Sequence, residues 1–268
     1  MDLQLTGRRV LVTGSSSGIG AAVARMLAEE GAKVVVHGRD RARAEAVAKE
    51  MGAVGVAIGE LSTQEACDAV HAEAVAALGG NIEILINNAG GNSEGNSTKP
   101  PHQISGDHYL SNFNANCLAA IRLTNLSIPD MEAASFGRVI NVSSAVAVQP
   151  NNMGGDYSAA KAAMNNFTVS LAGALKGKGI TVNTVSPGIV MVDGLLRMGR
   201  DRLNNPNATF EEVSDMLVAA GVFTLPPAGR VGIPEDLAII ICTLASPRSG
   251  YVTGANYRVE GGQIRSLN

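Results

Sequence analysis

Tyr157 and Lys161 stand four residues apart in Tyr157-Ser158-Ala159-Ala160-Lys161. This motif opens an alanine-rich stretch that runs to about Lys176 without a proline and stops at Gly177 and Gly179. The pattern predicts a helix ended by glycine, and residues four apart share one helix face. A phenol and an ammonium group can therefore approach the same volume. Free tyrosine titrates near pH ~10, and a neighbouring cation favours the phenolate, so the pair could give or take a proton near neutrality. The same spacing also occurs on ordinary amphipathic helices, with the ring packed and the lysine solvated. Its meaning depends on what other elements place beside it.

Arg8 to Val12 is an apolar run leading into Thr13-Gly14-Ser15-Ser16-Ser17-Gly18-Ile19-Gly20, followed by a helical pattern from Ala21 to Glu30. Strand, glycine turn and helix form the context in which backbone amides and a helix N-terminus bind a dinucleotide pyrophosphate. The glycines at 14, 18 and 20 depart from G-x-G-x-x-G, and a plain Gly-Ser loop is the competing reading. A second strand, Lys33 to His37, ends in Gly38-Arg39-Asp40. A carboxylate here would hold both ribose hydroxyls, whereas an arginine could bind a 2′-phosphate. Gly38 occupies the acidic position and Arg39 follows, which points to NADP(H). Arg39 could instead pair with Asp40 or Glu60.

Ala53 to Ile58 reads as a third strand closed by Gly59-Glu60-Leu61, and Ser62 with Glu65 resembles a capping box opening the next helix. Ile82 to Ile86 predicts a fourth strand ending in Asn87-Asn88-Ala89-Gly90-Gly91, and residues 91–107 read as a polar loop. A helical stretch from Tyr109 to Ala134 carries Asn116 and is interrupted near Pro129. Arg138 to Val142 delivers Ser143-Ser144 to the same strand ends, and Ile180 to Val185 delivers Ser186-Pro187-Gly188. Strands alternating with helices argue an α/β, Rossmann-type doubly wound sheet that binds ligands beyond the strands' carboxyl ends. Residues 189–229 hold two short amphipathic stretches and read as a substrate lid. Their Leu, Met and Val residues suggest an apolar entrance, yet such residues at helical spacing more often pack against the body than touch ligand. A helix from Pro234 to Ala245 and a last strand near Tyr257 to Val259 complete one domain spanning 1–268.

Composition narrows the alternatives. Formal net charge is -3, aromatic residues are 3%, and no basic run occurs, so nucleic-acid binding is not expected. Met1 to Thr6 lacks a signal pattern and no apolar run is long enough for a membrane span, which makes a cytoplasmic location the expectation. Cys67, Cys117 and Cys242 suit reduced core thiols, and His37, His71, His102 and His108 read as surface or loop residues with no metal-ligand spacing.

Taken together in chain order, Thr13 to Gly20, Asn87-Asn88-Ala89-Gly90, Asn116, Ser144, Tyr157 with Lys161, Asn183 with Pro187-Gly188, and Tyr251 to Gly254 before Glu260-Gly261-Gly262 resemble the short-chain dehydrogenase/reductase family. The likeness is to its compact single-domain subgroup, which includes the 3-oxoacyl-carrier-protein reductases, and it covers nearly the whole chain. It implies seven mainly parallel strands with three helices on each face, and hydride transfer between NADP(H) and a carbonyl or secondary alcohol, with a 3-oxoacyl thioester as one candidate.

The resemblance also implies residue roles. Tyr157 is the proton donor, Lys161 lowers the phenol's pKa and bonds the nicotinamide ribose, and Ser144, preferred over Ser143 by the family's interval, holds the carbonyl oxygen. Asn116 anchors a water beside Lys161. Gly14, Ser16, Ser17, Gly18, Ile19, Gly20, Arg39, Glu60, Leu61, Asn88, Ala89, Gly90, Pro187, Gly188 and Ile189 contact the cofactor, with Asn87 bordering the adenosine ribose and Thr13 tying the turn to neighbouring backbone. The chain departs from the family's habits at Glu60, usually Asp, at Val192, often Thr, and at Glu260, commonly Asp. A homotetramer assembled through the Tyr157 helix and last strand is a further implication. An NADP(H)-binding regulatory protein without turnover and an NAD(H)-using secondary-alcohol dehydrogenase are the alternatives.

Overall fold

A computed structural model describes residues 1–91 and 98–266. Seven strands, β1 (Arg9–Val12), β2 (Lys33–Gly38), β3 (Gly55–Ile58), β4 (Ile84–Asn87), β5 (Gly137–Val142), β6 (Ile180–Pro187) and β7 (Asn256–Val259), form one sheet in the order β3-β2-β1-β4-β5-β6-β7. Every pairing is parallel. The strand order reverses direction between β1 and β4, which opens the crevice where such sheets bind ligands.

All six residues of β5 and all eight of β6 are buried. Both faces of the sheet are thus covered, as a parallel sheet requires. Alternation along the strands splits the core. Val10 and Val12 face α1 (Gly18–Glu29) and, later in the chain, the helix Pro234–Ala245, while Leu11 faces the opposite helical layer. That second layer includes α3 (Gln64–Leu78), which follows α2 (Arg41–Met51). The cap of α3 is Thr63, accepting from the Ala66 amide at 3.2 Å, rather than Ser62.

The expected loop at 91–107 is shorter than the sequence suggested. A 3₁₀ turn forms at Pro101–Gln103 and α4 starts at Gly106, running to Phe113; residues 92–97 of that loop lie outside the described residues. The helix then passes through a π turn at Asn114–Leu118 and continues as α5 (Ala119–Ala133), straight through Pro129. The interruption falls at Asn116 because its side chain bonds the Asn112 carbonyl, competing with the backbone ladder.

Helix α6 (Gly155–Ala174) carries Tyr157 and Lys161. Lys161, Met164 and Thr168 form its buried stripe, at the spacing one helix face demands. Thr168 accepts from Asn141 at 2.9 Å and Thr184 at 2.8 Å, and Asn141 accepts from Asn87 at 2.9 Å. This buried polar ladder ties α6 to β4, β5 and β6, fixing the helix against the strand ends. Beyond β6, α7 (Asp193–Arg202) and α8 (Phe210–Ala219) enclose a small core of Met191, Ala208, Val213, Leu217 and Val231 before α9 (Pro234–Ala245).

Candidate active site

The glycine turn is built by close approach of backbone. Gly14 and Gly18 have φ of +63° and +56°, and a Cβ on Gly14 would lie 2.9 Å from Ala89 Cα. On Gly20 it would collide with the Gly14 carbonyl. Thr13 Oγ1 accepts from the Asn88 and Ala89 amides at 3.0 and 2.9 Å and donates to Ile86 O, so the β1 and β4 turns are stitched together. Ser17 is the N-cap of α1 but its side chain caps no amide, which leaves the first amides of that helix, from Gly18, Ile19 and Gly20, without a side-chain cap, the arrangement that suits an anion.

His37 holds this turn from the other side. Its Nδ1 accepts from the Gly14 amide at 3.0 Å, so Nε2 carries the proton and donates to Gly59 O at 3.2 Å. The ring is buried, and that burial pulls its pKa down to about 4, keeping the acceptor nitrogen bare. The sequence reading of a surface histidine is corrected here: a single histidine in a strand carries no local signal, and its partners come from two other strand ends.

In front of the turn lies a cleft of about 340 Å³. Gly14, Ser16, Ser17, Arg39, Glu60 and Leu61 border it on one side, and Asn88, Ala89 and Gly90 on the other. Asn87, by contrast, turns into the core, its Nδ2 donating to Thr124 at 3.0 Å and to Asn141. Arg39 pairs with Glu60 at 3.3 Å, both side chains mostly in solvent. Asp40 caps α2 by accepting from the Arg43 amide, and Arg43 adds a second arginine to the cleft that the sequence reading passed over.

A second cleft, about 510 Å³, lies between Ser144 and Ala145 on one side, Pro187, Gly188 and Ile189 on another, and Val222, Phe223 and Thr224. The proton-handling pair touches one lining residue of each cleft. Ser144, at the mouth of the second, hydrogen-bonds Tyr157. Gly90, at the inner end of the first, abuts Asn116 and Lys161: a Cβ there would lie 2.8 Å from Asn116 Oδ1 and 3.3 Å from Lys161 Nζ. Ser143 is buried, donating to Lys161 O at 3.1 Å, which leaves Ser144 as the hydroxyl facing the cleft.

Lys161 donates to Val142 O at 2.8 Å and sits 5.7 Å from the centre of the Tyr157 ring. Burial dominates both groups. It raises the Tyr157 pKa, with the Ser144 hydrogen bond opposing, and lowers that of Lys161 to about 8. In the protein by itself the phenol is held up by burial, with the Ser144 bond as the opposing influence, so the lowering of its pKa that the resemblance assigns to Lys161 belongs to the proposed function.

The short chain dehydrogenase model matches residues 8–201. The chain belongs to the short chain dehydrogenase family. It is 32% identical over 261 residues to a 3-oxoacyl-[acyl-carrier-protein] reductase of Vibrio cholerae, covering 97% of this chain and 98% of the relative. L-sorbose reductase of Gluconobacter frateurii, solved with NADPH and L-sorbose, superposes with a TM-score of 0.87 at 29% identity and full coverage of both chains. A 7α-hydroxysteroid dehydrogenase solved with NADH superposes at 0.82, with 27% identity, covering 100% of this chain and 98% of that one. The protein is thus an oxidoreductase of this family, and a nicotinamide cofactor is supported. Of the family motifs, Asn183 is structural here: it donates to Val252 O at 2.7 Å and accepts from Ala255 N, clamping β6 to the turn before β7. Val192, where the family often has Thr, packs toward Gly18 at the start of α1.

Proposed function

We propose that the protein is an NADP(H)-dependent reductase of an uncharged ketone, working reversibly on the corresponding secondary alcohol. The observation carrying this reading is that Tyr157 bonds Ser144 of one cleft while Lys161 stands beside Gly90 of the other, the first lined by neutral side chains and the second rich in glycine turns. The bare amides at the start of α1 and the left-handed glycines fit a pyrophosphate, and Gly90 leaves space toward Lys161 for a ribose. When bound, the nicotinamide supplies a hydride to a carbonyl carbon. Tyr157 gives its proton to the oxygen of that carbonyl while Ser144 orients it, and the Lys161 ammonium favours the phenolate left behind.

Nucleotide choice follows from weighing Arg39's partners. An exposed ion pair such as Arg39–Glu60 contributes about 0.2–1 kcal/mol, whereas a hydrogen bond to a charged phosphate contributes about 1.5–3 kcal/mol. A 2′-phosphate therefore draws Arg39 from Glu60, with Arg43 nearby and no carboxylate at Gly38. Glu60's hold on Arg39 is the feature favouring the NAD(H) alternative. Intact Ser144, Tyr157 and Lys161 speak against a binding protein without turnover.

Among the described residues lining the second cleft none is ionisable; Gln149, Asn151 and Gln263 lie beside Val146, Phe223 and Ile264. That lining suits a hydroxylated or short acyl ketone, including a 3-oxoacyl thioester, better than a carboxylate or phosphate. In this reading residues 189–229 cover the cleft as a lid on a single catalytic domain, and copies assemble through α6, where Val169 is exposed, and β7, which exposed Tyr251 precedes. The test is NADPH absorbance over a panel of uncharged ketones, 3-oxoacyl thioesters, quinones and charged keto acids. Oxidation with uncharged ketones supports the proposal; bound NADPH that no carbonyl consumes contradicts it.

A further inference from the structure

Asn116 belongs to a chain of buried amides that ends on a carboxylate. Asp156 and Asn112 are both buried, and Asn112 Nδ2 donates to Asp156 Oδ2, joining α4 to α6 one residue before Tyr157. His108 Nε2 lies 3.0 Å from the same oxygen. Asn112 Oδ1 then accepts from Asn116 Nδ2 at 2.8 Å, and that nitrogen also donates to the Asn112 carbonyl at 3.1 Å. Asn116 Oδ1 accepts from the Gly91 amide at 3.0 Å and borders, with Lys161 Nζ, the space beside Gly90.

An ionised carboxylate only accepts, and a backbone N–H only donates. Between two such ends, each amide has one orientation that pairs every donor with an acceptor. Turning Asn112 over sets its oxygen against the Asp156 carboxylate. Turning Asn116 over sets its NH₂ against the Gly91 N–H and toward the Lys161 ammonium. Either reversal leaves like groups facing each other, at Asn112 where both partners are buried and at Asn116 beside the exposed Gly91.

We infer that Asp156 and Asn112 are positioning residues that hold the Asn116 amide in the orientation its backbone partners select, keeping its oxygen at the space beside Gly90 that Lys161 also borders. The inference rests on the proposed roles of Asn116 and Lys161. Beyond holding α4 to α6, the chain presents an acceptor to the side of the site where a buried ammonium must stay charged. The titratable groups facing Lys161 are Tyr157 of its own helix and Cys117 of the π turn, whose thiol burial pushes up to about 11.

Three variants test this: Asp156→Asn, which retains an acceptor oxygen without the charge, Asp156→Leu, which removes both, and Asn112→Leu, which breaks the chain while leaving the charge. Each is measured for kcat on a ketone substrate, for NADPH binding and melting temperature, and, without substrate, for the titration of Lys161 by NMR of labelled lysine. Asp156→Leu and Asn112→Leu are expected to lose at least about tenfold in kcat with NADPH affinity kept. Their Lys161 titration should move to lower pH by about half a unit or more. Asp156→Asn should stay near wild type in both. Wild-type kcat and Lys161 titration in Asn112→Leu, or an Asp156→Asn defect as large as that of Asp156→Leu, overturns the inference. If Asp156→Leu does not fold, Asn112→Leu decides. A wild-type protein that reduces no ketone contradicts the proposed function, while the lysine titration still judges the amide chain.

Discussion

The two clefts whose linings touch Tyr157 and Lys161 are made of different material. The cleft proposed for the nucleotide is built largely on backbone: left-handed glycines, the α1 amides that no side chain caps, and turns locked by Thr13, Asn88 and His37. The cleft proposed for the substrate is lined by neutral residues, several contributed by the segment at 222–224 beyond α8. Backbone geometry tolerates few residue types, so one leaves a readable motif. Neutral side chains around a cavity tolerate many, so the other does not.

The sharpest break between the two comes at Tyr157. Replacing Tyr157 by Phe keeps the ring and removes the proton, so turnover should fall by about 10²–10⁴ while NADPH titrations stay unchanged. Loss of NADPH binding would make Tyr157 a structural part of the nucleotide cleft instead.

His37 tests the rigidity of the backbone-built side. Its folded pKa of about 4 lies below the ordinary 6.5, so the unfolded chain takes up a proton that the folded chain refuses. Stability contributed this way is present above 6.5 and is lost as pH falls toward 4, by about 3 kcal/mol in all. In urea titrations at pH 7 and 4.5, His37→Gln should show a smaller loss between the two pH values than wild type; equal losses would remove His37 from the account of the turn.

Much of the fold was legible, for physical reasons. Apolar runs, glycine turns and the helical stretch ending near Lys176 each follow from local preference, and Arg9–Val12, Lys33–Gly38 and Pro234–Ala245 form where periodicity sets them. What was not legible is non-local. The helix break moves from Pro129 to Asn114–Leu118 because Asn116 bonds Asn112 and Gly91. Asn87 turns inward because Thr124 and Asn141 wait in the core. The Asp156–Asn112 contact spans 44 residues and leaves no spacing to read.

At the rim of the nucleotide cleft, where side chains take over from backbone, smaller effects are expected. Arg39→Ala should weaken NADPH by about tenfold and leave NADH nearly untouched, checked by fluorescence titration of both. Equal changes would leave Arg39 as Glu60's surface partner only. Smallest of all, Val222→Ala on the substrate side should shift a ketone's KM by less than about tenfold with NADPH affinity constant; a change in NADPH binding would mean that the two clefts are not separable.

The most direct measurement uses NADPH carrying deuterium at the transferable C4 position, incubated with the protein and the best ketone of the panel. The expected result is one deuterium on the carbinol carbon of the alcohol, formed by wild type and not by Tyr157→Phe on the same time scale. An alcohol without deuterium, or the same rate from Tyr157→Phe, would contradict hydride transfer completed by the Tyr157 proton.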